Sequence, residues 1–276
     1  VFHRYDQHRS GVVRRLLGEK IDSVMKKSAM VIAGSEYIAE HACKIGASRV
    51  EVLPTVVDID RYTLVPLSEE RVFTIGWIGS PLTSHYIKII QPVLEELSRD
   101  RELKVVAVGA GMVEFDNVPV QIIPWSEATE VQELQKFDVG VMPLPDSPWE
   151  RGKCGLKLIQ YMACAIPVVA SPVGVNKKII DDGVNGFCAT SMAEWIEALS
   201  TLQKDKTLQR RMGMSGRAKV EREYSLQVTA PKLIQLLSAA RWGRTNVRQV
   251  RANAKLTNEN GEEKYLNEVK QQSQKH

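Results

Sequence analysis

Residues 151–174 read RGKCGLKLIQYMACAIPVVASPVG, and this block decides the fold. Two glycines and three basic residues come first, then an apolar stripe at helical spacing, then a run of small and β-branched residues. The pattern predicts a helix that opens at a glycine-rich, positively charged turn and is followed by a buried strand. A helix start near Lys153 to Gly155 leaves N–H groups unpaired and sets the positive end of the helix dipole at the turn. Arg151, Lys153 and Lys157 add formal charge at the same place, and together these features suit a diphosphate. Farther along, Leu156, Ile159, Tyr161 and Met162 read as packing residues. Gln160, one turn beyond Leu156 and Lys157, is placed to reach hydroxyl groups. The competing reading makes Lys153 and Lys157 a solvated face, which the flanking glycines fit poorly.

Working outward, RVFTIGWIGSP, LKVVAVGAG, VPVQIIPW and DVGVMPLP read as strands nearly continuous in Val and Ile. Between them, SHYIKIIQPVLEELSRD, with Ser84 as N-cap, and EATEVQELQKF read as helices. This alternation predicts a parallel sheet covered on both faces, whose ligands bind beyond the carboxyl ends of the strands. At those ends, Gly79 permits close backbone approach and Ser80 offers a hydroxyl, although a plain strand-to-helix turn accounts for the same residues. Pro124 and Trp125 end the third strand, and residues 171–176 form a turn whose amides can face the same ligand. Asp181 and Asp182 lie in DDGVNGF, where the Asp-Gly and Asn-Gly pairs favour turn chemistry over metal binding.

Upstream, SGVVRRLLGEKIDSVMKKSA is expected to be a helix and MVIAG a strand. SEYIAEHACKIG, opened by Ser35, is expected to be a second helix and SRVEVLP a second strand. TVVDIDRYTLVPLSEE then reads as a connection. Downstream come three more helical stretches and a polar segment over 244–276 that can bury little. The 276 residues are 43 % apolar and 25 % charged, as in an ordinary globular protein, and the net charge of +4 is too mild to argue for nucleic acid. No apolar run approaches the roughly 18–20 residues of a membrane span. The four cysteines show no metal or redox spacing, which fits reduced thiols in a cytoplasmic protein. The histidines form no catalytic pair in the sequence pattern.

Taken together, VIAGSEYIAEHA, VEVLPTVVDIDRY, the block from Asp138 to Asn176 and DDGVNGF resemble glycosyltransferase family 4. These are retaining nucleotide-sugar enzymes of the GT-B fold, and the similarity runs to about Leu237. The resemblance implies an α/β architecture with two Rossmann-like domains, the carboxy-terminal one holding the sugar donor. On that template residues 1–60 are a remnant of the amino-terminal, acceptor-side domain and 61–71 a linker. Residues 72–224 form the donor domain and 225–243 a closing crossover helix, with 244–276 as a polar tail. Because the chain starts at Val1 and its first domain is short, it is expected to be a fragment that transfers sugar poorly alone.

The resemblance also implies a donor that is a nucleotide-diphosphate sugar, an acceptor that is a carbohydrate or lipid-linked, and no metal or other cofactor. Lys153 and Glu150 are the expected catalytic residues. Gly79, Ser80, Pro124 and Trp125 are expected on the donor, with the last two at its nucleobase. Arg151, Gly152, Gly155, Leu156, Lys157 and Gln160 complete that set. This sequence departs from the family pattern: its two glutamates, eight positions apart, fall on Gly152 and Gln160, and Ser80 and Ser84 replace a basic pair after the first strand. Glu150 is therefore the candidate for the sugar-hydroxyl contact, and Lys153 with Arg151 for the phosphate charge. The basic helix at Arg14 and Arg15 fits peripheral contact with the inner face of the cell membrane. A GT-B epimerase and a non-catalytic nucleotide-sugar-binding domain are the rival readings.

Overall fold

The computed structural model describes residues 9–65, 72–99 and 102–240. The chain divides into two compact units, one ending at Lys232 and one starting at Leu233. In the second unit the described residues, 233–240, are helical. The expected polar tail over 244–276 lies outside the described residues, as do positions 241–243 of the closing helix, 66–71 of the linker and the first eight residues.

The amino-terminal part of the first unit is a βαβ element. Strand β1 (Val31–Ala33) pairs in parallel with β2 (Val50–Val52). The helix between them, Glu36–Lys44, is capped by Ser35, whose hydroxyl accepts from the Ile38 N–H. The stretch expected as one helix over 10–29 is instead two, Gly11–Leu17 and Lys20–Lys27. The break falls at Gly18, a poor helix former, which closes the first helix by donating to the Arg14 carbonyl. The apolar residues of these helices do not form a buried stripe: Val12, Leu16 and Val24 are exposed.

The six remaining strands are β3 (Phe73–Ile78), β4 (Leu103–Val108), β5 (Val120–Ile123), β6 (Val139–Met142), β7 (Val168–Ala170) and β8 (Gly186–Cys188). They form one parallel sheet in the order β5-β4-β3-β6-β7-β8. Counted within this sheet the order is 3-2-1-4-5-6, that of a doubly wound nucleotide-binding fold. Both faces are covered, so side chains alternate between two cores. Val106, Val108, Val168 and Ala170 enter one, with Phe137, Leu158 and Tyr161. Val105, Ala107 and Val169 enter the other, with Ile87, Leu94 and Trp195.

The order reverses between β3 and β6, which pair only at Ile75 with Val139 and Gly76 with Gly140 before diverging. Those two glycines are obligatory. A Cβ at Gly76 would lie 1.9 Å from the Phe137 ring, and one at Gly140 2.3 Å from the Tyr161 ring. Without a side chain at either position, both aromatic rings pack directly against the strands. The Tyr161 hydroxyl then spans the gap, accepting from the Ile78 N–H at 2.8 Å and donating to the Val141 carbonyl at 3.4 Å. A polar group is thus placed where the strands part and their own ladder bonds end.

One further expectation is corrected. Ser84 is no N-cap: the helix begins at Pro81 as a 3-10 segment, Pro81–Ile90, followed by the α-helix Gln91–Arg99. Ser80 caps it in a reciprocal box with Thr83, and proline at the first position favours that start. The connection after β2 is anchored where it is described. Val57 pairs with Ser225, the Tyr62 side chain is buried, and Gln135 donates to the Thr63 carbonyl at 2.6 Å.

Candidate functional site

The strand ends at the reversal point face a cleft of about 380 Å³ lined by Gly79, Ser80, Trp125, Glu130, Leu156, Lys157 and Gln160, among others. Its floor is the turn after β3. Its wall is the helix Leu156–Ala163, here α7 by chain order among the α-helices. Gly155 is the N-cap of this helix at φ 70°, a left-handed conformation suited to glycine, and no side chain caps the helix start. The first N–H groups and the positive dipole end are therefore left for a ligand at the cleft.

Lys157 is the dominant charge. Its Nζ lies 4.0 Å from the centroid of the Trp77 ring and 2.8 Å from where a Cβ on Gly79 would be. No described acidic side chain forms an ion pair with it. Burial pushes its pKa down to about 7, and the neighbouring charge of Lys153 adds to the fall. A half-buried cation beside glycine backbone and a helix start gains most from an arriving anion, since the anion removes the cost of leaving that charge unpaired.

Lys153 and Glu150 form a second group. The Lys153 Nζ lies over the Tyr86 ring at 4.8 Å. Burial lowers its pKa and the Glu150 carboxylate partly opposes the shift. Glu150 is buried, and both of its oxygens are engaged, one by the Tyr86 hydroxyl and one by the Ser147 hydroxyl. Burial raises the Glu150 pKa, but the hydrogen bonds from Ser147 and Tyr86 and the charge of Lys153 outweigh it, so the carboxyl stays below its usual range. Burial and Glu150 together raise the pKa of Tyr86.

The structure brings together Gly79, Ser80, Trp125, Leu156, Lys157 and Gln160. It separates Arg151, whose guanidinium pairs with Asp146 at 2.6 Å and faces a different cavity beside Glu36, Tyr37 and Lys178. The three basic residues of the opening block therefore do not act at one point. Gly152 ends the short helix Pro148–Arg151 and is buried, and Pro124 is exposed next to Trp125. Leu156, expected to pack, is 38 % exposed at the cleft. Asp181 pairs with Lys219 at 2.8 Å, and Asp182 accepts from the Cys188 N–H, in keeping with turn chemistry.

Sequence reading missed Glu130, Tyr62 and Tyr86. Glu130 is a buried carboxylate in the cleft wall. Its Oε1 accepts from Gln160 at 2.9 Å and from the Tyr62 hydroxyl at 3.1 Å, and its Oε2 accepts from the Trp125 indole N–H at 2.7 Å. Trp125 is 51 % exposed and lines the cleft. Burial pushes the Tyr62 pKa up to about 12, the bond from Gln160 opposing and Glu130 reinforcing the rise. The sequence signal available for Glu130 was only a carboxylate on a short helix following an exposed-looking Trp.

Comparison with known proteins bears on this site directly. Residues 71–205, just under half of the chain, match the family described as Glycosyl transferases group 1. The matched residues contain the whole cleft. A D-inositol 3-phosphate glycosyltransferase of Nocardia farcinica is 26 % identical over 264 residues, covering 83 % of this chain and 56 % of the relative. The chain thus spans little more than half the length of that curated relative. Among solved structures, sucrose-phosphate synthase from Thermosynechococcus elongatus matches with a TM-score of 0.66 at 17 % identity, over 85 % of this chain and 64 % of that one. Anabaena HepE in complex with UDP and glucose matches with a TM-score of 0.64 at 17 % identity, over 78 % and 64 % respectively. The fold is α/β with a Rossmann-like parallel sheet, matching solved glycosyltransferase structures of the GT-B type. No described helix is long and apolar enough to cross a membrane.

Proposed function

We propose that this protein belongs to a retaining glycosyltransferase of family 4 that moves a sugar from a nucleotide-diphosphate sugar to an acceptor hydroxyl, in polysaccharide or glycoconjugate synthesis. Residues 72–224 hold the donor in this reading. The observation that carries it is the cleft at the reversal point, where an uncapped helix start and a lysine with no ion-pair partner among the described residues meet the turn after β3. That HepE was solved with UDP and glucose, on the same fold, supports the assignment of the ligand class.

The diphosphate lies across the Gly79–Ser80 turn and the start of α7, with Lys157 as its counter-charge. Lys153, held beside Glu150 and over Tyr86, meets the leaving phosphate. The C1–O bond to phosphate breaks with its electron pair passing to the phosphate oxygen. The acceptor oxygen then bonds to C1 from the face being vacated, and its proton passes to the departing phosphate. Charge grows on that phosphate in the transition state, so fixed positive groups there contribute most, typically about 2.7–4 kcal/mol for one such contact. No metal is needed in this scheme. Glu150, with both oxygens occupied, acts on Lys153 and Tyr86 rather than on the sugar. The test is release of nucleoside diphosphate from a panel of UDP-, GDP- and ADP-sugars with candidate acceptors, for the wild type and Lys153→Ala. A panel-wide absence of donor binding and turnover would reject the proposal, and a hundredfold or greater loss in the variant is expected.

A further inference from the structure

We infer that Lys157 is a nucleophile toward acyl phosphates, a modification site at which N-acylation closes the cleft to diphosphates. The inference adds regulation to the nucleotide-sugar reading and rests on it for the way an acyl phosphate is held. Lys157 lies in the cleft wall with its Nζ 4.0 Å from the centroid of the Trp77 ring. It forms no hydrogen bond or ion pair with any described residue. Among those residues no sealed side-chain nitrogen lacks a partner, so this nitrogen opens to the cleft. A side chain on Gly79 would come within 2.8 Å of it, and the bare glycine leaves that approach clear. The carboxylate in the same wall, Glu130, is turned to Tyr62, Gln160 and Trp125. The charge that Lys157 meets is that of Lys153, which disfavours a second ammonium beside it.

An amine attacks only after it has lost its proton. A lysine with an ordinary pKa of about 10.4 is protonated almost entirely at neutral pH. Burial and the charge of Lys153 bring Lys157 to about 7, so a large share of it is free amine there. The cleft, of about 380 Å³, admits a small phosphate-bearing molecule. An acyl phosphate suits it, since it brings an anion for the turn after β3 and a carbonyl carbon for the amine. Nζ bonds to that carbon, and the bond from the carbon to the phosphate oxygen breaks, its electron pair leaving with the phosphate. The proton lost from nitrogen passes to the released phosphate. The products are a neutral amide on Lys157 and inorganic phosphate. The amide carries no charge, so the cleft loses the cation that a diphosphate requires.

The test exposes the full chain to acetyl phosphate at pH 7.5 and follows each lysine by peptide mass spectrometry, with and without UDP, GDP and ADP. Lys157 should be acetylated about tenfold or more faster than the exposed Lys204 and Lys232, because its free-amine fraction is larger by more than that factor. A diphosphate that binds should protect Lys157 and leave those two unchanged. The acetylated protein should lose diphosphate affinity by about tenfold or more in calorimetric titration. Lys157→Arg keeps the charge without the reactive amine, and should retain its affinity through the same treatment. A Lys157 rate equal to that of the surface lysines, faster reaction at Lys153, or loss of affinity in treated Lys157→Arg overturns the inference. Equal selectivity with an uncharged acetyl ester overturns the choice of acyl phosphate. If Lys157→Arg does not fold, the wild-type rates decide. Diphosphate binding without selective acetylation refutes this inference alone; binding of none of the three diphosphates refutes the nucleotide-sugar reading, and with it the way the acyl phosphate is held.

Discussion

Replacing Lys157 with methionine should make the ligand-free protein more stable, by an amount that depends on pH in a defined way. Methionine keeps the length and most of the apolar contact of the lysine stem but carries no charge. The folded chain holds the Lys157 pKa at about 7, against 10.5 for the free side chain. One pKa unit corresponds to about 1.4 kcal/mol, which gives about 4 kcal/mol at pH 7 and roughly 2–4 once water reaching Nζ from the cleft is counted. The sign follows from proton binding. Between pH 7 and 10.5 the unfolded chain holds the lysine proton and the folded chain has released it, so wild-type stability rises with pH across that window. Below pH 7 both states are protonated and the full cost of the buried charge remains. The gap between Lys157→Met and wild type should therefore be largest at pH 6–7 and shrink toward zero by about pH 10.5. Urea unfolding followed by tryptophan fluorescence at pH 6, 7.5, 9 and 10 measures it, with the slope on urea checked for constancy. A gap that does not change with pH, or a variant less stable than wild type at neutral pH, would refute the reasoning.

Tyr161→Phe removes the hydroxyl that accepts from the Ile78 N–H and leaves that donor buried without a partner; a loss of about 1–3 kcal/mol is expected in the same urea assay. Gly155→Ala forces a left-handed residue to carry a Cβ that would lie 2.3 Å from Ile179 Cδ1. It should lose about 1–2 kcal/mol of backbone energy alone, and a lowered melting temperature checks this. Ser191→Ala breaks the box with Glu194 that opens the helix Met192–Lys204 and should cost about 0.5–2 kcal/mol in denaturant unfolding without altering ligand affinity.

The sheet was legible because its strands are short apolar runs separated by amphipathic helices, and a parallel sheet buried on both faces demands that pattern. The ligand-facing rim was legible in the turn at Gly79 and in the glycine-flanked helix after residue 155, but the reversal was not, because Gly76 and Gly140 declare their role only against the rings of Phe137 and Tyr161. The Ser80 cap was not, because Ser80 and Ser84 both precede apolar periodic residues, and only the reciprocal contact with Thr83 selects the first. Glu130 was not legible for a different reason. Its surroundings come from Tyr62, Trp125 and Gln160, residues that stand on separate elements, and no local periodicity reports a contact between them. Arg151 and Lys157 look equivalent in sequence. They part in the structure because Arg151 closes a short helix and turns to Asp146, while Lys157 lies in the next helix, over Trp77.

The central claim is that the cleft at the β3–β6 reversal receives a diphosphate against Lys157. Calorimetric titration with UDP, GDP and ADP at pH 8, in two buffers of different ionisation enthalpy, tests it most directly. At that pH the free protein has largely released the Lys157 proton, and a bound dianion draws it back. The account predicts binding of at least one diphosphate with net proton uptake, and loss of both in Lys157→Met. Binding of equal strength in wild type and Lys157→Met, or no binding of any of the three, would contradict it.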